Sequence, residues 1–181
     1  MLPSKPWRPA KLRMLVLGID PGIAITGYGF VRTGDRNEYD CVDYGVITTK
    51  AGLTDAQRLN LLFNNLTELL SLHRPDTSAV EKLFFQKNVK TAISVGQARG
   101  VALLTLARAG LPIHEYTPNE IKQTVCGYGN AGKQQVQRMV QTLLNLQELP
   151  KPDDAADALA VAICHLNHQS FNNIVKQAQS S

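Results

Sequence analysis

The chain has no apolar run approaching the roughly 20 residues that a bilayer-spanning helix requires, so a soluble protein is expected. Cysteine is sparse: Cys41, Cys126 and Cys164 are odd in number, far apart and in no metal-like spacing. That argues against a disulfide framework, favours a reducing, cytoplasmic setting, and leaves each thiol to be read as a small buried hydrophobe. Charge of one sign does not dominate either. Lys and Arg number 19 against 15 Asp and Glu, a formal net charge of +4. This modest excess grows over the remaining surface if several acids gather in one place, and a polyanionic partner is then expected. Internal repeats and linkers are absent as well. With 44% hydrophobic and 19% charged residues over 181 positions, there is enough apolar material for one globular core.

Neither end reads as part of that core. Residues 1–13 carry three prolines with Lys5, Arg8, Lys11 and Arg13, and lack the apolar segment of a secretory signal. They are expected to be a disordered basic extension whose deletion leaves activity near wild type. The polar residues 169–181 are expected to be a disordered tail. The folded domain is therefore placed at 14–168.

Met14 to Ile19 is continuously apolar, as a strand buried on both faces should be, and Asp20-Pro21-Gly22 ends it sharply. Gly27 to Arg32 and Tyr44 to Thr49 read as two further strands around the polar turn Thr33 to Glu38, giving an antiparallel meander. Thr54 and Gln57 form a capping box before Leu59, Leu62, Phe63, Leu66, Leu69 and Leu70 at helical spacing. This helix is expected to end near His73-Arg74-Pro75. Ser78 to Glu81 is a short strand. Asn88 to Ala109 is helix-like, with Gly96 and Gly100 one turn apart where another backbone can come close. Pro112 to Tyr116 is a fifth strand, and Thr117-Pro118-Asn119-Glu120 supplies an N-cap, a proline at N1 and a glutamate at N3. Further helices are expected over Lys133 to Leu144 and Asp154 to His168, completing an α/β layer fold.

Within this order four carboxylates stand out. Asp20 ends the first apolar run, Glu81 ends Ser78-Ala79-Val80, and Asp154 and Asp157 share one face of an Ala-rich helix that is apolar nearly all round. Acids at the ends of buried elements are costly to ionise without a cation between them, and four together raise one another's pKa. Taken singly they have ordinary readings: Asp20 capping a turn, Asp154 capping a helix, Glu81 and Asp157 paired with lysines. All four, however, lie beside apolar runs. That favours a common role as ligands of two Mg²⁺ ions, with Mn²⁺ as a substitute. Such a metal pair activates water, stabilises a leaving oxygen and hydrolyses phosphodiesters by in-line attack. Asp153 reads as a separate, exposed helix-cap acid, and His165 and His168 as structural.

The same blocks carry a family resemblance. Leu17-Gly-Ile-Asp20-Pro-Gly-Ile-Ala-Ile-Thr-Gly-Tyr-Gly29, Ala79-Val-Glu81, Val95-Gly-Gln-Ala-Arg-Gly-Val-Ala102, Ile121-Lys-Gln-Thr-Val125 and Asp154-Ala-Ala-Asp157-Ala-Leu-Ala160 follow one another between Met14 and His168. Together they resemble the RuvC family of Holliday-junction resolvases. The resemblance implies an RNase H-like α/β fold: a five-stranded mixed sheet, the antiparallel three-strand meander plus two parallel strands, flanked by helices. It implies Mg²⁺-dependent, symmetric nicking of four-way DNA junctions in recombination and repair, by a homodimer, with a RuvA–RuvB type branch-migration complex as a further partner. It assigns Asp20, Glu81, Asp154 and Asp157 as the metal-binding catalytic set, junction-phosphate contacts to Lys122 and Lys133, and base stacking to Phe84.

Plain chemistry adds detail. Lys122 and Lys133 flank the loop Gly127 to Gly132, whose glycines let a backbone approach phosphates; Arg138 and Lys87 are further basic candidates. Phe84 and Phe85, adjacent in an extended segment, face opposite ways, so one serves the core and the other is free to stack on a base. A substrate with two-fold symmetry and one site per chain call for a C2 dimer. The Gly96–Gly100 helix and the Leu-rich helix before it are candidate interface elements, packing on the sheet being the alternative. Three other functions fit parts of the pattern. Sugar-kinase and actin-like phosphate-binding proteins open with a Gly-Ile-Asp-x-Gly turn but use two such domains. A non-catalytic junction-binding module needs no ordered carboxylates. Another RNase H-like nuclease is the nearest rival.

Overall fold

The first apolar run forms β1 (Leu15–Asp20), buried as far as Ile19 and half-buried at Asp20. The structure, a computed structural model, describes residues 13–34, 38–82 and 89–179. The remaining elements are β2 (Ile25–Thr33), β3 (Tyr39–Thr48), α1 (Asp55–His73), β4 (Thr77–Glu81), α2 (Val89–Arg108), β5 (Ile113–Tyr116), α3 (Pro118–Cys126), α4 (Lys133–Leu143) and α5 (Asp153–Gln179). Among the described residues the five strands make one sheet in the order β3-β2-β1-β4-β5. β1, β2 and β3 form the antiparallel meander, and β4 and β5 run parallel to β1.

Alternation along the strands divides the core in two. Leu15, Leu17, Ile19, Phe30 and Val80 face α1 and α2, meeting Leu62, Leu66, Leu70, Ala102 and Leu106. Val16, Val31 and Ala79 face the layer of α3, α4 and α5, meeting Ile121, Val140, Leu159 and Ile163. Both capping boxes form. Thr117 Oγ1 accepts from the Glu120 N–H at 3.1 Å while the Thr117 N–H donates to Glu120 at 2.7 Å, with Pro118 in the first turn. Thr54 and Gln57 do the same for α1. Among the described residues no helix is long and apolar enough to cross a membrane.

Some expectations are corrected. β3 starts at Tyr39, not Tyr44, because it is an edge strand on which Asp40 and Val42 are exposed, so its first half reads as polar loop. α5 runs to Gln179, so the tail expected to be disordered after His168 continues as helix. Residues 169–179 contain neither Pro nor Gly to stop it. No backbone of the same chain reaches Gly96 or Gly100: among the described residues nothing lies within 4 Å of where their Cβ atoms would stand, which leaves their expected role at an interface between two chains untouched. Residues 1–12, and Phe84, Phe85 and Lys87, lie outside the described residues.

Candidate active site

Sheet register brings Asp20 and Glu81 together. β1 and β4 are parallel neighbours with Ile19 opposite Val80, so the next residues stand side by side at the C-terminal edge. Ile19 and Val80 point toward α1 and α2, and alternation turns both acids the other way, toward α5. That helix lies directly on the strands. A Cβ on Gly27, which pairs with Asp20, would collide with the Asp154 carbonyl. One on Gly18 would strike the Ala158 carbonyl, and one on Gly29 the Leu159 side chain. Missing side chains on the strands, facing Ala155, Ala158 and Ala162 on the helix, thus carry the first turns of α5 to the ends of β1 and β4.

The result is a pocket of about 280 Å³ lined by Asp20, Glu81, Asp157, Lys122 and Lys133, with Pro118, Ile121 and Val136 as its apolar wall. Asp154 is outside this lining, but its charge acts on both Asp20 and Asp157. Burial, then repulsion by Glu81 and a hydrogen bond with it, push the Asp20 carboxyl up to about 8. Glu81 is also raised, chiefly by burial, although its bond with Asp20 pulls the other way. Buried side by side, the two carboxyls titrate as a pair shifted upward. Burial and the Asp20 charge push Asp157 up to about 6. Two cations oppose this build-up. Lys133 Nζ lies 3.6 Å from Asp153 Oδ2 and 3.9 Å from Asp157 Oδ2, and Lys122 lowers the pKa of Glu81. As they stand, the described residues include no group of three or more His, Cys, Asp or Glu side chains placed to hold a metal ion. The donor set nonetheless suits a hard divalent cation: carboxylate oxygens only, crowded enough to resist ionisation.

Of the residues singled out from sequence, Asp20, Glu81, Asp157, Lys122 and Lys133 meet in one pocket, and Asp154 stands beside it. Arg138 is exposed on α4 and does not line the pocket. Gly129 lies against the exposed Asn119 side chain, which a Cβ there would displace. Two contributions escape the sequence reading. Asp153 is indeed exposed, yet it is the nearer partner of Lys133; its i, i+4 relation to Asp157 is the signal that locates it. Gly27 and Gly29, two apart in a strand, mark the close approach of α5.

Further along α5, His165 is fully buried. Its Nδ1 is 2.8 Å from the Tyr116 hydroxyl, and its ring stacks on His114 at 4.2 Å between centroids. Burial, with His114 and His168 adding repulsion, pushes it down to about 4, so it is neutral and structural. Cys164 is buried while Cys41 and Cys126 are half-buried; burial raises all three thiols, which leaves them unreactive.

A family profile, "Crossover junction endodeoxyribonuclease RuvC", matches residues 16–165. The crossover junction endodeoxyribonuclease RuvC of Pelotomaculum thermopropionicum is 53% identical over 163 residues, covering 90% of this chain and 99% of that protein. The structure of T. thermophilus RuvC in complex with Holliday junction substrate superposes with a TM-score of 0.83 at 34% identity, over 88% of this chain and 96% of that one. A yeast mitochondrial Holliday junction resolvase, Ydc2, superposes with a TM-score of 0.63 at 19% identity, over 93% and 88% of the two chains, a likeness of fold alone.

Proposed function

We propose, from the fact that this chain belongs to the RuvC family of crossover junction endodeoxyribonucleases, that it resolves four-way DNA junctions by nicking two strands symmetrically. Asp20, Glu81, Asp154 and Asp157 are the catalytic, metal-holding set. The observation that carries this reading is the meeting of Asp20, Glu81 and Asp157 in one pocket with Lys122 and Lys133 on its wall. Bound there, Mg²⁺ or Mn²⁺, two per site, would supply the activation of water and the stabilisation of the leaving oxygen. The chain's own residues do the rest. The ends of β1 and β4 fix the Asp20 and Glu81 oxygens on the rigid edge of the sheet. α5, seated on its glycines, fixes Asp154 and Asp157 opposite them. A divalent cation held there would relieve the crowding that raises the Asp20 and Glu81 carboxyls. Lys122 and Lys133 place positive charge where the backbone phosphate flanking the cut must sit.

Phe84, three residues past Glu81, is the proposed base-stacking residue. The proposed assembly is a homodimer with one site per cut strand. Its interface is the outer face of α2, where Ile93 and Leu104 are 59% and 57% exposed on either side of Gly96 and Gly100. A RuvA–RuvB type complex as partner and a cytoplasmic location rest on family membership. A sugar-kinase or actin-like reading has no support beside a family match that spans the domain.

The test is a synthetic mobile four-way junction incubated with the chain, its product strands sized on a denaturing gel. Paired nicks at symmetric positions are expected with Mg²⁺ and none in EDTA. Junction binding should persist in Asp20→Asn and Glu81→Gln while nicking disappears. Normal cleavage by either variant contradicts the metal-site assignment.

A further inference from the structure

We propose that Asp153 is a positioning residue: it gives the Lys133 ammonium a second partner beside Asp157, so that Asp157 can take a divalent cation while the lysine stays at the pocket mouth. This rests on the metal-site reading above. Lys133 is the first residue of α4, whose N-cap, Gly132, offers no side-chain bond and whose first turn holds no acid. A cation there faces the positive end of the helix dipole, so nothing in its own helix favours it. Its partners lie on α5. Asp153 and Asp157 are one turn apart on the same face, and Lys133 Nζ bridges them, at 3.6 Å from Asp153 Oδ2 and 3.9 Å from Asp157 Oδ2. The nearer acid is exposed and outside the pocket lining; the farther one is half-buried within it. Without Asp153, Asp157 is the one acid among the described residues that the ammonium retains within ion-pair distance, and lysine and metal compete for that carboxylate. With Asp153 present, the repulsion of an arriving dication shifts the lysine toward its second partner rather than into solvent.

The test is Mn²⁺ affinity, by titration calorimetry on the full metal-free chain without DNA. Asp153→Asn should weaken Mn²⁺ binding about two- to fivefold, the range of an exposed ion pair, and Asp153→Glu should restore it. In a Lys133→Gln background, where the competitor is gone, Asp153→Asn should change nothing. In nicking assays on wild-type Lys133, Asp153→Asn should raise the half-saturating Mg²⁺ concentration by the same factor, with the rate at saturating Mg²⁺ close to wild type. Unchanged affinity in Asp153→Asn overturns the proposal. So does an equal loss with and without Lys133, because Asp153 then acts through its bare charge. Mn²⁺ binding that survives Asp20→Asn unchanged overturns the metal-site reading itself, and the proposal with it.

Discussion

At the start of α5, Asp154 and Asp157 meet Asp20 and Glu81 beside a solvent-open pocket walled by two lysines. About two turns further along the same helix, His165 is sealed against Tyr116 and His114 with no exposed surface. Both places hold ionisable groups far from their ordinary pKa. At the first, room for a hydrated ion, like charges converging from three elements and cations within reach keep several acids poised to ionise. At the second, the histidine gives up its charge and settles against a hydroxyl and a ring. A perturbed pKa marks burial; a site also needs space and a reason to stay charged.

The sharpest separation of the two places comes from substitution. Asp20→Asn or Glu81→Gln should lower nicking about 10³-fold, the scale of losing a transition-state electrostatic partner. His165→Phe should leave nicking near wild type while lowering stability by about 1 kcal/mol, the worth of its hydrogen bond to Tyr116. Junction-nicking rates and chemical denaturation of the same three variants decide it. Equal losses of activity would erase the distinction.

Next in size is Gly27→Ala. Its Cβ meets the Asp154 carbonyl, so α5 must lift from the sheet exactly where the acids converge. A loss of about 1–3 kcal/mol in stability is expected, with a fall in nicking disproportionate to it; a thermal melt and a rate measured well below the melting temperature check both. Wild-type nicking would mean that close seating of α5 is not required.

Stability against pH, measured by denaturation in EDTA, should show the two places pulling in opposite directions. Native Asp20, raised from 3.8 to about 8, keeps a proton that the unfolded chain releases, so its contribution to stability falls as pH rises through that window. Asp157, raised to about 6, adds to the fall over the lower part. His165, lowered from 6.5 to about 4, refuses a proton that the unfolded chain takes, so its contribution rises with pH between those values. Asp20→Asn should flatten the fall and His165→Phe the rise. The reverse pattern would refute both assignments. The smallest effect belongs to neither place: Thr117→Ala removes the cap of α3 and should cost about 1 kcal/mol in a thermal melt.

Most of the fold was legible because its signals are local. The continuous apolar run made β1, and the Thr54 and Thr117 boxes started α1 and α3 where their residues indicated. Boundaries failed where local chemistry is neutral: the mixed edge strand before Tyr44, and a polar helix end with nothing to break it. The acids were legible one by one from their places at the ends of apolar runs. Their grouping depends on the offset of β1 against β4 and on how closely α5 approaches, which are long-range facts that the strand glycines Gly18, Gly27 and Gly29 foreshadow. Asp153 lies exposed at the start of α5 as its sequence position indicates; only its pairing with Lys133 was not legible, because that partner comes from another helix.

The central claim is that acids from β1, β4 and α5 converge to hold a divalent cation. Crystals soaked in Mn²⁺ near pH 8 and measured for anomalous scattering address it most directly. The expected result is a strong peak among Asp20, Glu81 and Asp157, with oxygen distances of about 2.0–2.3 Å and Lys133 moved toward Asp153. A pocket that stays empty of manganese, with Asp20 still bonded to Glu81 and Lys133 still against Asp157, would contradict it.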